Sequence, residues 1–444
     1  MTTELNCIIM GAAGRDFHDF QTFFRANPNF RVRAFTATQI PFIESRSFPR
    51  SLAGEGYEAD IPIYSEERLP QLIEKYDIDF VFLAYSDLSY ADVMHKASIV
   101  QSCGSAFAML GPKQTQLDSH RPVISVTAVR TGAGKSPISQ WLAKRLLESG
   151  RRVGVIRHPM PYGDLLLQSV QKFATRDDLQ RHDCTIEEQE EYEPYVAAGN
   201  PIFAGVDYAG VLAAAESESD VILWDGGNND YSFVRATLSI VVADALRPGH
   251  EVGFFPGETN FRSADVIVIN KAQGAAPKAI DTIRDNAAQL NPDAEVIVSD
   301  LQIAIDDAAT IEGRRVLVVE DGPTLTHGGM SFGAGTIAAD RYGASEIIDP
   351  RPHAVGSIAE AFRAYPHVKR VLPALGYSAQ QRQELAETIR GCDPDVVIDA
   401  SPAPLERLLE IAMPVARVRY GFNQLEGKPL DEIVDETLKS CDSR

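Results

Sequence analysis

An α/β fold of several domains, built on mostly parallel, doubly wound sheets, is predicted by three features of the sequence. Short apolar runs alternate with segments of helical period from end to end. Those runs are continuous, as expected of strands covered by helices on both faces. The chain has 444 residues, 44% apolar and 23% charged, which exceeds one ordinary core and suits two or three folded domains of about 150 residues each.

Taken in order, residues 1–120 are expected to form an N-terminal Rossmann-like domain with strands at 7–10, 31–36, 80–84 and 106–110. Its first turn, Gly11-Ala12-Ala13-Gly14-Arg15-Asp16, leaves a strand and enters a helix but is not G-x-G-x-x-G, so a dinucleotide site is weakly supported. Residues 116–122 read as a linker. Residues 121–345 are expected to form the nucleotide-binding and catalytic domain, with strands at 123–127, 153–157, 221–224, 238–243, 266–270, 296–299 and 316–319. Residues 346–444 form a C-terminal α/β region with strands near 368–373, 396–399 and 415–418. They are either a small domain or extra strands on a neighbouring sheet. The acidic stretch 187–193 reads as an exposed helix or loop.

The formal charge of −20 argues against nucleic-acid or anionic-membrane partners, which need clustered Lys and Arg. The five cysteines are scattered without zinc spacing, so reduced structural thiols are expected. No apolar run is long enough to span a membrane, and a cytoplasmic, soluble protein is expected, with a homodimer compatible with the sequence.

The strongest motif is Thr127-Ala128-Val129-Arg130-Thr131-Gly132-Ala133-Gly134-Lys135-Ser136, placed between an apolar strand and a segment of helical period. This is the context of a P-loop. Gly132 and Gly134 let backbone N–H groups turn toward phosphates, Lys135 reaches the β/γ oxygens, and Ser136 is a Mg²⁺ ligand candidate. Thr131 and Ala133 complete the cradle. Val129 stands where the common motif has its first glycine, so the loop entry differs.

An apolar strand delivers Asp225 at its carboxyl end, followed by Gly226-Gly227-Asn228-Asn229-Asp230. A carboxylate there serves Mg²⁺ opposite a P-loop, and Asn228 is a candidate substrate contact. Asn270-Lys271 follows a later strand and resembles a base-recognition turn. Gln273 stands where a guanine-pairing carboxylate would be, and a neutral amide cannot replace it, so ATP is favoured over GTP. The stretch from Glu320-Asp321 through His327-Gly328-Gly329 to Gly335 follows another strand. Its acids are candidates for metal binding or base chemistry, His327 for a phosphate contact, and Gly328 and Gly329 for close backbone approach. Arg15, Arg130, Arg157-His158, Arg247 and Arg262 lie at expected strand ends, where α/β sheets bind ligands, and together suit a small phosphorylated anion.

With these motifs in view, the chain resembles the cyclic 2,3-diphosphoglycerate synthetase family over nearly its whole length. The resemblance implies an ATP- and Mg²⁺-dependent synthetase that activates one phosphate of 2,3-diphosphoglycerate and closes it onto the other, releasing ADP and phosphate. Two other readings remain: a nucleotide-hydrolysing switch or metallochaperone acting on a protein partner, and a small-molecule kinase with another acceptor.

Overall fold

The computed structural model describes residues 4–11, 14–38, 46–159, 164–184, 186–227, 230–306, 308–326, 329–375, 378–401 and 404–443. Strands alternate with helices through its length, and the expected α/β architecture is what the chain adopts. No described helix is long and apolar enough to cross a membrane. The five cysteines are free thiols, of which Cys7, Cys184 and Cys392 are buried.

The N-terminal sheet has six strands in the order Ser47–Phe48, Ile61–Ser65, Phe30–Ala37, Leu5–Met10, Phe80–Leu83 and Ala106–Ala108. All are parallel except the first, which runs antiparallel to its neighbour. Chain connections leave Leu5–Met10 toward one side and return on the other, so the crevice between Leu5–Met10 and Phe80–Leu83 is a topological switch point. One face is filled by Phe17, Phe20, Phe24, Phe35 and Phe48, whose rings pack edge-on or tilted.

The second sheet has thirteen strands and holds the P-loop strand Val123–Ala128 near the middle of its first half. That strand is buried at every position, as a parallel strand roofed on both faces must be. It lies between Val221–Gly226 and Leu238–Asp244, both parallel to it and each carrying an aspartate in its carboxyl-terminal turn. The following helix, Lys135–Glu148, buries Ile138, Leu142 and Leu146. Their four-residue spacing places one apolar stripe on the sheet.

The far half of this sheet contains Val396–Ala400, Arg315–Asp321, Glu346–Ile347 and Leu372–Ala374. Val415–Glu426 joins the halves: its start runs parallel to Val396–Ala400, and its remainder runs antiparallel to Glu295–Ile305. Residues on both sides of position 345 therefore belong to one hydrogen-bonded sheet, because Arg315–Asp321 pairs with strands beyond it. These two long strands extend well past the expected 296–299 and 415–418. Their outer portions alternate polar and apolar residues, as in Asp300 to Ile305, so no continuous apolar run marks them.

Candidate active site

The carboxyl-terminal edges of three parallel strand groups converge on the P-loop. At its centre, Gly132 (φ +76°) and Gly134 (φ +96°) occupy left-handed backbone conformations that favour glycine. A Cβ on Gly134 would lie 2.2 Å from Asn270 Nδ2, and one on Gly132 would lie 3.3 Å from Thr324 Cγ2. Helix Lys135–Glu148 has no side-chain N-cap hydrogen bond. Its first N–H groups thus face the cradle as anion donors. Arrangement and residue types fit a triphosphate.

The loop is braced from behind through its carbonyls. Asn270 Nδ2 donates to Ala133 at 3.0 Å, and Arg247 Nη2 to Thr131 at 2.8 Å. Lys271 Nζ donates to the Gly132 carbonyl and pairs with Asp244 at 2.9 Å, while Asp244 also pairs with Arg247 at 2.8 Å. Asn270 is itself fixed by Ser299 Oγ, which donates to its Oδ1 at 3.1 Å. Asn270 and Lys271, expected to contact the base, spend their side chains holding the phosphate cradle in shape. Asp244, which the motifs did not single out, carries the same signal as Asp225, an acid ending an apolar strand.

Asp225 is fully buried and receives four protein donors. Lys135 Nζ lies 2.7 Å from Oδ1, and Ser139 Oγ donates to the same oxygen at 2.7 Å. Tyr195 OH donates to Oδ2 at 2.8 Å, and Arg157 Nη1 forms an ion pair there. Burial alone would raise this carboxyl, but Arg157 and Lys135 together hold it below its ordinary range. Burial lowers Lys135 despite the Asp225 charge. Arg157 also pairs with Glu191.

The helix Ile186–Ala197 supplies Glu191 and Tyr195, and Glu188 is also buried. The acidic segment expected on the surface is only partly so: Glu188 is buried, and Glu191, though half-exposed, reaches in to pair with the buried Arg157, a partner that lies outside its local sequence. Ser139, one helical turn beyond Lys135, was legible only as part of the P-loop helix.

For Mg²⁺, Ser136 in the first helical turn and the ionised Asp225 are a suitable hydroxyl and carboxylate, and magnesium characteristically keeps waters and phosphate oxygens as its other ligands. Among the described residues no group of three His, Cys, Asp or Glu is arranged to hold a metal ion.

Asp321 ends strand Arg315–Asp321 and accepts from Thr324 Oγ1. Burial raises its carboxyl, and Glu191 adds to the effect. Thr324 faces Gly132, which brings this third edge onto the cradle. Glu320 is used differently. Its carboxylate accepts from the N–H groups of Gly333, Gly335 and Thr336 at 3.0, 3.2 and 2.8 Å, and from Thr336 Oγ1 at 3.0 Å. It therefore caps the helix Ala334–Arg341. Burial, partly offset by these hydrogen bonds, pushes Glu320 up to about 7.

Arg130 leaves the P-loop strand toward the N-terminal domain. It pairs with Asp87, meets His250 Nδ1 at 2.9 Å and lies over the Phe254 ring at 3.7 Å. Leu88–Ser89 and Phe254–Phe255 form a two-stranded antiparallel ribbon beside it. Arg15 and His158 meet around Asp230 rather than at the P-loop. Arg262 is turned to solvent, paired with Glu258 at 2.6 Å on its own helix; no described contact brings it to the cradle. Gly329, at φ +68°, is exposed. Asn228, His327 and Gly328 lie outside the described residues.

No protein-family model matches the chain. It is 54% identical over 435 residues to the arginine synthetase ArcE of Thermococcus kodakarensis, covering 98% of this chain and 97% of that one. It is 28% identical over 169 residues to a tetraacyldisaccharide 4'-kinase of Geobacter sulfurreducens, covering 36% of this chain and 47% of the relative. A solved structure of LpxK from Aquifex aeolicus in complex with ATP aligns over 84% of this chain and 99% of its own, at 12% identity and a TM-score of 0.44.

Proposed function

Because the chain belongs to the family of the arginine synthetase ArcE, we propose that it is an ATP-dependent synthetase that builds the guanidinium group of arginine. The chemistry follows from the product. A ureido carbon bears an oxygen where the guanidinium carbon bears nitrogen, and that oxygen leaves poorly. Phosphoryl transfer from ATP to this oxygen breaks the bond to the β-phosphate side and releases ADP. Ammonia then adds to the carbon, the C–O bond breaks, and phosphate leaves with the oxygen. A proton from the incoming nitrogen is given up to the surroundings.

The residues suit these steps. The N–H groups around Gly132 to Ser136 would cradle the phosphates, and Lys135, now on Asp225, is positioned to shield charge developing on the transferred group. Ser136 would hold Mg²⁺, with Asp225 joining it where Lys135 leaves the carboxylate for the phosphates, and the ion would supply further charge neutralisation when bound. Asp321, buried on the facing edge beside Thr324, is the carboxyl placed to accept the proton from nitrogen.

The observation that carries the choice of acceptor is the charge balance around the loop. Arg130, Arg157 and Arg247 each pair with a carboxylate: Asp87, Asp225 and Asp244. A site so balanced suits an acceptor of low net charge better than one bearing two phosphates. Cyclisation of 2,3-diphosphoglycerate is the second reading, favoured by the Trp224 to Asp230 and Glu320 to Gly335 motifs and by the number of arginines near the strand ends.

One experiment separates them. The protein is incubated with ATP, Mg²⁺ and either the ureido analogue of arginine plus ammonium or 2,3-diphosphoglycerate, with phosphorus NMR and amino-acid analysis of the products. Arginine formed in step with ADP and phosphate is the expected result. Turnover only with diphosphoglycerate, or phosphorylation of a different acceptor, overturns the arginine reading. Hydrolysis indifferent to both and raised by a protein partner points to a switch.

A further inference from the structure

A second polar centre lies where the N-terminal sheet meets the P-loop sheet. Arg15 follows strand Leu5–Met10, and its Nη2 donates at 2.6 Å to the carbonyl of Tyr85, just beyond Phe80–Leu83. It thus spans the switch-point crevice of the N-terminal sheet, the position at which open α/β sheets bind ligands. Asp230, which follows strand Val221–Gly226 of the P-loop sheet, faces it with Oδ1 3.4 Å from Arg15 Nη1. His158 Nε2 is 3.7 Å from Asp230 Oδ2, and its Nδ1 meets Tyr208 OH.

Asp19, one turn after Arg15 on the helix Arg15–Asp19 and within electrostatic reach of Arg15 and Asp230, joins them; the groups are deeply buried, Arg15 at 2% and Asp19 at 3% exposure, yet they are not fully satisfied. Among the described residues Arg15 Nε and Asp19 Oδ1 have no hydrogen-bond partner, and Arg15 Nη1, Asp230 Oδ1 and His158 Nε2 make none beyond the long ion-pair contacts at 3.4 and 3.7 Å. Polar atoms of buried charged groups are seldom left so in folded proteins, because each has given up its hydration. The contrast with Asp225, whose carboxylate is filled by four donors, marks this centre as one completed by something else.

The unmatched atoms define the chemistry of that missing partner. A guanidinium offers N–H donors, two carboxylates offer acceptors, and burial with Arg157 and Lys135 nearby keeps His158 neutral. An isolated phosphate would meet the two acids, and an isolated cation would meet Arg15. A zwitterion satisfies both signs. We propose that Arg15, Asp19 and Asp230 form the subsite for the α-carboxylate and α-ammonium of the amino-acid substrate. The α-carboxylate sits on Arg15 and the α-ammonium between Asp19 and Asp230.

This rests on the arginine-forming reading and adds to it where the substrate is anchored. The link to the P-loop is short: Arg157 and His158 are consecutive, one on Asp225 and the other beside Asp230. A linear amino acid held by its head group in the crevice would present its far end toward the phosphate site.

The test uses calorimetric titration of the full-length protein, saturated with a non-hydrolysable ATP analogue and Mg²⁺, with arginine and with agmatine, which lacks the α-carboxylate. Wild type is expected to bind arginine more tightly than agmatine, on the order of 100-fold for a buried charge pair. Arg15→Gln is expected to erase that preference, Arg15→Lys to restore part of it, and neither to change nucleotide affinity. Asp19→Asn is expected to weaken arginine without altering the preference between the two ligands. Thermal melts accompany each variant, and the ratio of the two ligands within one variant is insensitive to partial misfolding.

If wild type binds arginine but Arg15→Gln retains the preference, or wild type shows none, the subsite is wrong while the synthetase reading stands. If wild type binds neither ligand but keeps the nucleotide, both fall.

Discussion

The P-loop centre and the crevice at the N-terminal sheet are built from the same materials and finished differently. At the P-loop, Asp225 accepts from Lys135, Ser139, Tyr195 and Arg157, and the loop carbonyls are held by Asn270, Lys271 and Arg247. In the crevice, Arg15, Asp19, Asp230 and His158 keep atoms without a hydrogen bond among the described residues, at comparable burial. A fully bonded carboxylate fixes geometry before substrate arrives. A partly bonded cluster stores unmet hydrogen-bonding capacity that a ligand with complementary charge can satisfy. The comparison separates machinery from recognition within one continuous polar region.

The largest way to break this contrast is at Lys135. Lys135→Ala is expected to lower kcat by on the order of 10³-fold with the melting temperature little changed, since Ser139, Tyr195 and Arg157 still hold Asp225. Steady-state kinetics alongside circular-dichroism melts would check it, and near-normal turnover in a folded variant would remove the P-loop from the chemistry.

Next comes Asp225→Asn, which leaves Arg157 and Lys135 buried with less compensation. It is expected to cost roughly 3 kcal/mol of stability and to abolish Mg²⁺-dependent turnover while nucleotide still binds. Chemical denaturation and fluorescent-nucleotide titration read the two effects separately; full activity across a magnesium series would contradict the assignment.

A smaller effect concerns Glu320, whose folded-state value is raised from 4.5 to about 7. The sign follows from linkage: its contribution to stability is fully present below pH 4.5 and is lost as pH rises through about 7. Glu320→Gln is expected to flatten the melting temperature over that window relative to wild type. A pH dependence identical in both proteins would mean that other groups set it.

The smallest effect is expected at Arg262, half-exposed beside Glu258. Arg262→Ala is expected to change stability by less than about 0.5 kcal/mol and leave both KM values unaltered. A clear rise in either KM would bring this residue back into the binding site.

What was readable from residue order alone is local. Val123–Ala128, the glycines that follow and helix Lys135–Glu148 lie within one short span, so apolar periodicity and backbone preference specify them without reference to the rest of the chain. Asp225 and the α/β class were legible for the same reason. Tertiary structure decided what each charged side chain does. Arg157 meets Glu191 from a later helix, and Arg15 meets Asp230, which follows a strand of the other sheet. Glu320 caps a helix instead of standing free, and the outer half of Val415–Glu426 is recruited by Glu295–Ile305. Ionic partners chosen across long separations leave no periodic trace, because the energy that selects them appears only when folding excludes water from both.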